Sequence, residues 1–195
     1  WSSRYSSASS FHLHLHNNHY QHSAASIGTT STSNHQPDSS HSLQSLKPSN
    51  TSFRYIDGRR YHDDETSRYP LPNDDEEINR LQLQHYLFRY AWKDNFSSPV
   101  KEMLEMGGAR VLDVGCGPAT WILEMAFQFP SSEFIGVDFS PVFPTSIKPQ
   151  NVELKQLNVL TGGLPFESDT FDFVYLRFMN LALTEKQWPD LMQEL

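Results

Sequence analysis

Apolar residues are spread unevenly along this chain. In residues 1–52 they are few and mostly isolated among sixteen serines and seven of the nine histidines, with only three charged side chains, Arg4, Asp38 and Lys47. Such a segment cannot bury enough surface to offset an ordering cost of about 1–2 kcal/mol per residue, so it is expected to be a disordered tail. Further along, the pattern turns helical. Ile78, Leu81, His85, Phe88 and Trp92 recur at spacings of three and four, which is one face of a helix. Asn73 is placed to cap it, and Glu76 completes a capping-box spacing. The carboxylates of Asp74, Asp75 and Glu76 then lie at the positive end of the helix dipole. On that stripe His85 reads as a packed or hydrogen-bonded histidine rather than a catalytic base. A second, shorter helix is expected with Ser98 as its cap and Pro99 at its first position, stopping at Gly107-Gly108. Residues 53–108 are therefore expected to form a helical lid segment.

From Gly108 onward, short apolar runs alternate with helical stretches. Strands are predicted over Arg110–Val114, Phe134–Val137, Val152–Leu157 and Phe171–Leu176. One helix should run from Ala119 to Phe129, closed by Pro130, and another from Thr184 to Leu195, with Pro189 limiting its regular part. The alternation predicts an α/β fold in residues 109–195, a parallel sheet flanked by helices. Ligands of such sheets sit at the carboxyl ends of the strands.

Charge and cysteine content narrow the function. Fifteen Lys+Arg against twenty-three Asp+Glu give a net charge of −8. No basic surplus exists to displace counterions, which argues against a protein that grips nucleic acid by its phosphates. The single cysteine, Cys116, excludes an internal disulfide and a multi-cysteine zinc site, and suits a reducing compartment. No run approaches eighteen apolar residues, so no membrane-spanning segment is expected. The tract Phe11-His12-Leu13-His14-Leu15-His16 puts three imidazoles on one side of an extended strand. No carboxylate or thiolate completes a site there, so it is read as a low-complexity tract and no metal is assigned.

The strongest chemistry lies at the strand ends. In Val111-Leu112-Asp113-Val114-Gly115-Cys116-Gly117 an apolar strand runs into a turn where glycines let a ligand touch the backbone, and the next helix presents free N–H groups. Twenty-one residues after Gly117, Asp138 ends the second strand, at a spacing where a carboxylate can hold both ribose hydroxyls. A tight structural turn would look the same in isolation; strand, turn, helix and spaced acid together point to a nucleoside. A dinucleotide site would prefer a third glycine at position 120, where this chain has Thr120.

The segment Leu112-Asp113-Val114-Gly115-Cys116-Gly117 resembles motif I of class I S-adenosylmethionine-dependent methyltransferases. The resemblance continues through Gly136-Val137-Asp138-Phe139-Ser140, Asn158-Val159-Leu160, Leu164-Pro165-Phe166 and Phe171-Asp172-Phe173-Val174. A narrower resemblance rests on Arg59-Arg60-Tyr61-His62, Leu71-Pro72-Asn73-Asp74, Arg80-Leu81 through His85, Ser140-Pro141 and Pro149-Gln150-Asn151. These look like fungal methyltransferase-like regulators of secondary metabolism. The implied fold is the Rossmann-like class I sheet, and the implied cofactor is S-adenosyl-L-methionine. By the same resemblance, Asp113 sits near the amino group of the methionine moiety, and Gly115, Cys116 and Gly117 form the close-approach turn. Asp138 holds the ribose, Phe139 lies along the adenine, and Asn158 with Val159 meets the adenine edge. Arg177 lines the reactive end. Tyr61 either closes over the cofactor or anchors its segment to the core. Asp113 is expected to help hold the glycine turn in shape, and Asp138 to be removable with the fold largely intact. Relatives usually carry glycine at position 119, so Ala119 fits if it is already helical.

Methyl transfer from a sulfonium needs positioning and exclusion of water, and no obligatory base, so no catalytic residue is assigned. The Pro-Pro-aromatic signature of base amino methylation is absent after Leu176, where Arg177-Phe178-Met179-Asn180 stands. The expected acceptor is a small molecule or a protein; the alternative is a regulator acting through protein partners, in the cytoplasm or nucleus. The class I sheet has seven strands and four are predicted here, and the chain starts at Trp1. A piece lacking the C-terminal strands, itself inactive, is therefore expected.

Overall fold

The four predicted apolar runs form one parallel sheet. The structure, a computed structural model, describes residues 52–195, all within a single unit of the chain spanning 45–195. The expected disorder of the tail and the histidine tract lie outside the described residues, Ser52 excepted. In chain order the elements are β1 (Phe53–Ile56), β2 (Arg59–His62), α1 (Asp75–Trp92), α2 (Lys101–Met106), β3 (Arg110–Val114), α3 (Thr120–Gln128), β4 (Glu133–Asp138), β5 (Val152–Gln156), β6 (Phe173–Leu176) and α4 (Gln187–Glu194). The sheet runs β5-β4-β3-β6. Strands two, one and four of the predicted order therefore lie side by side, with strand three at one edge, as the Rossmann-like class I arrangement requires.

Alternation along each strand sends neighbouring side chains to opposite faces. Val111, Phe134 and Val152 join Trp121, Ile122 and Met125 of α3 in one apolar cluster. Leu112, Val114, Ile135 and Val137 join Leu183, which precedes α4, and Leu191 of α4 in the other. Both faces of the sheet are thus covered, and the central strands β3 and β4 read as near-continuous apolar runs for that reason, while edge strand β5 alternates, with Glu153 exposed.

The lid segment differs from expectation in three places. It opens with an antiparallel hairpin, β1 to β2, not a helix, turned by Asp57 and Gly58 at φ +49° and +79°. Both centres are left-handed, which favours the Asp-Gly pair. Second, the cap of α1 is Asp74, one residue past Asn73: its side chain accepts from Glu77 N at 3.0 Å. Asp74 also takes Arg59 Nε at 2.7 Å and Nη2 at 2.9 Å, tying the hairpin to the helix; the guanidinium holds this carboxyl far below its ordinary pKa. Third, α2 starts at Lys101 after Val100, and neither Ser98 nor Pro99 caps it. Its predicted stop holds, with Gly107 N donating to Leu104 O at 3.2 Å.

Candidate functional site

The carboxyl ends of β3, β4, β5 and β6 open into one cavity roofed by the lid segment. Eight of the ten residues tied to a cofactor by sequence line it: Asp113, Gly115, Cys116, Asp138, Phe139, Asn158, Val159 and Arg177. Gly117 and Tyr61 do not. Gly117 instead donates its amide to Asp138 Oδ2 at 2.7 Å. Tyr61 pairs with Arg54 in the hairpin, and its neighbour His62 lines the cavity.

The turn after β3 is built by close approach. Gly115 N and Cys116 N both donate to Val137 O, at 2.8 and 3.1 Å. Gly115 sits at φ +73°, and a Cβ there would collide with Met179 Sδ. Ala119 is also left-handed, at φ +63°, and α3 begins only at Thr120. The expectation that Ala119 would be helical is therefore corrected. An L-residue costs about 1–2 kcal/mol in that region, which is the physical reason relatives place glycine there.

The two acids exchange the structural parts expected of them. Asp138 accepts from Gly117 N and from Ser140 N, both at 2.7 Å, so it is the carboxylate that holds the glycine turn. The Asp113 side chain makes no hydrogen bond among the described residues, while its backbone is held in the ladder. It is 4% exposed, paired in register with Gly136 and Tyr175. Burial pushes its pKa up to about 7, helped by Asp138 and opposed by Arg177. Asp138 is shifted upward too, by burial, while its two backbone donors pull it down. Burial, then Asp138 and Asp113, keep the Cys116 thiol well above its ordinary value, which leaves it protonated and unreactive.

These observations, a parallel sheet of class I order with a glycine turn and two acids at its carboxyl edge, coincide with a family match. Residues 111–195 match the family described as "Methyltransferase domain". The chain carries a class I S-adenosylmethionine-dependent methyltransferase domain. It resembles fungal proteins of the pytC and laeA type. It is 34% identical over 159 residues to "Methyltransferase pytC" of Aspergillus terreus, covering 80% of this chain and 46% of that protein. It is 28% identical over 149 residues to "Secondary metabolism regulator LAE1" of Cochliobolus heterostrophus, covering 76% of this chain and 47% of that protein. The chain spans about half the length of these curated relatives. Among solved structures, PKMT2 from Rickettsia typhi in complex with AdoHcy is 30% identical, over 47% of this chain and 19% of its own, at a TM-score of 0.37.

Several residues lining the cavity were not read from the sequence. The roof is pinned by polar contacts that cross it: Asn158 Nδ2 donates to Thr66 Oγ1 at 3.0 Å, and Asn73 Nδ2 reaches Ser140 Oγ at 3.4 Å. His62 packs its ring on Phe139, centroids 4.9 Å apart. Tyr69 lines the same roof, its hydroxyl pushed up to about 12 by burial and then by Glu77. At the floor, Trp121 and Tyr175 stack at 3.8 Å and 7°. His85 is fully buried and hydrogen-bonded on both ring nitrogens, as its place on the apolar stripe suggested. The partners, Glu124 and Arg177, lie 39 and 92 residues away in sequence, where no local pattern could show them.

Proposed function

We propose that this cavity binds S-adenosyl-L-methionine and that the protein transfers its methyl group, in line, to a small molecule or a protein. One observation carries the reading: a buried carboxylate whose side chain has no hydrogen-bond partner among the described residues, a glycine turn and a second carboxylate gather at adjacent strand ends. A nucleoside with an ammonium group suits that donor set. Asp113 would take the ammonium, Gly115, Cys116 and Gly117 would admit close approach, and Asp138 would meet the ribose with its remaining lone pairs. Phe139 would lie along the base, with Asn158 and Val159 at the base edge and Arg177 near the methionyl end. Tyr61, off the cavity, serves better as an anchor of the hairpin.

The bound sulfonium supplies the leaving group, and the chain's residues orient the reactants and keep water out. Trp121, Tyr175, Leu81 and Ile78 make much of the wall apolar, which favours an acceptor with little charge at the reacting end. The net charge of −8 speaks against nucleic acid as acceptor. No helix among the described residues is long and apolar enough to cross a membrane, and we place the protein in the cytoplasm or nucleus. A second reading, a regulator that binds the same cofactor and acts through protein partners, is favoured by the relative called a secondary metabolism regulator.

Calorimetric titration tests the cofactor. S-adenosylmethionine and S-adenosylhomocysteine should bind and NAD should not; binding of NAD alone would overturn the proposal. A transfer assay with the chain against candidate small molecules and proteins separates the enzyme from the regulator.

A further inference from the structure

Arg177 leaves β6 at its carboxyl end, and Phe178 immediately after it sits at φ +61°. A bulky side chain is rarely left-handed, so the backbone turns sharply just past the guanidinium. Arg177 is half-buried on the cavity wall. One edge of its fork is engaged, with Nη2 2.9 Å from His85 Nδ1, and the Tyr175 side chain stands against the same guanidinium, its ring centroid 5.8 Å from Cζ. Arginine has no acceptor, so Nδ1 must offer its lone pair and the ring proton sits on Nε2. That nitrogen donates to Glu124 Oε2 at 2.9 Å, and the other Glu124 oxygen accepts from Arg89 Nη1 at 2.9 Å. The tautomer of a histidine only 2% exposed is thus fixed from both sides. Burial, with Arg177 and Arg89 against Glu124, lowers its pKa and keeps it neutral. No carboxylate among the described residues forms an ion pair with Arg177, although the buried Asp113 stands within its field.

We infer that His85 and Glu124 are positioning residues that present the open edge of Arg177 to the carboxylate of an α-amino-acid head group, whose ammonium Asp113 takes. A guanidinium held at one edge loses less side-chain freedom when it binds a carboxylate at another. A neutral imidazole is suited to the task, because a protonated ring would repel the fork it has to orient. The inference rests on the sulfonium-nucleoside reading above and assigns the amino-acid end of that ligand to a relay reaching from β6 to α1 and α3.

The test compares S-adenosylhomocysteine with 5′-methylthioadenosine, which has the nucleoside and thioether but no amino-acid head. In the full chain the first should bind at least about tenfold tighter, a difference of about 1.4 kcal/mol, since its head group adds charge-assisted hydrogen bonds. His85→Leu should cut that ratio to about twofold or less while the affinity for 5′-methylthioadenosine stays unchanged. His85→Gln should keep the ratio, because its carbonyl can accept from Arg177 while its amide donates to Glu124. A purely structural histidine would weaken both ligands alike and would not be rescued by glutamine. Arg177→Gln, at a half-buried position, gives the same reading if His85→Leu does not fold: a full ratio in that variant overturns the inference. Equal binding of both ligands by the wild type overturns it while leaving the proposed function standing. Binding of neither overturns both.

Discussion

The floor and the roof of the cavity are made by different physics. The floor consists of strand ends whose register is locked by the parallel ladder and by apolar clusters on both faces of the sheet. Asp138 there is braced by two backbone amides, and Asp113 cannot leave its buried strand. The roof is a two-stranded hairpin and a loop, reaching the sheet through contacts such as Thr66–Asn158, Asn73–Ser140 and His62–Phe139. A floor of that kind holds groups in place whatever is bound, whereas a roof held by a few polar contacts can open at small cost. Under the proposed function, ligand recognition falls to the floor and access to the roof.

The largest expected effect breaks the floor. Asp138→Ala removes the acceptor of Gly117 N and Ser140 N and should cost about 2–5 kcal/mol of folding stability, beyond its loss of ligand binding. Thermal unfolding against Asp113→Asn measures the contrast: a fold unaffected by Asp138→Ala would show that the turn holds itself. The next effect is a pH dependence. The pKa of Asp113 lies near 7 in the folded protein and near 4 unfolded, so its contribution is fully present below pH 4 and lost as pH rises toward 7. The loss approaches about 1.4 kcal/mol per pH unit in between. Asp113→Asn should therefore match the wild type at pH 4 and exceed it in stability at pH 8. Because only the ionised acid pairs with an ammonium, wild-type affinity for S-adenosylhomocysteine should climb with pH up to about 7 and level off above. A flat profile would remove Asp113 from ligand binding.

The roof should yield smaller numbers. Thr66→Ala deletes the partner of Asn158 and should change global stability by less than about 1 kcal/mol, while speeding amide exchange in residues 53–72. Equal protection in variant and wild type would mean that the roof is as fixed as the floor. The smallest effect is expected at Ala119→Gly. Relief of a left-handed alanine is offset by the lost buried methyl and the greater freedom of the unfolded chain, for a net change within about 1 kcal/mol.

The strands of the parallel sheet and most of the floor were legible in the sequence, and the strand order followed from the family resemblance. Apolar runs, the Gly115-Cys116-Gly117 turn and the spacing to Asp138 are local signals, and the central strands β3 and β4 are buried on both faces, which makes them legible as nearly unbroken runs. The hairpin was missed: its local signal, Asp57-Gly58, stands alone, because Arg59-Arg60-Tyr61-His62 lacks the apolar alternation of a half-buried strand. Asn73 with Glu76 and Asp74 with Glu77 offer the same capping spacing; the fork of Arg59, fifteen residues earlier, orients Asp74, and Arg60 Nε takes the Asn73 Oδ1 acceptor at 3.0 Å. Which acid braces the turn depended on where the amides of Gly117 and Ser140 come to rest. That Glu124, His85 and Arg177 form one relay depended on bringing α1, α3 and the end of β6 together. Local propensity fixes which segments become strands and turns, because it is decided within a few residues. The choice among equivalent polar groups is decided by partners distant in sequence, and those meet only once the chain has packed.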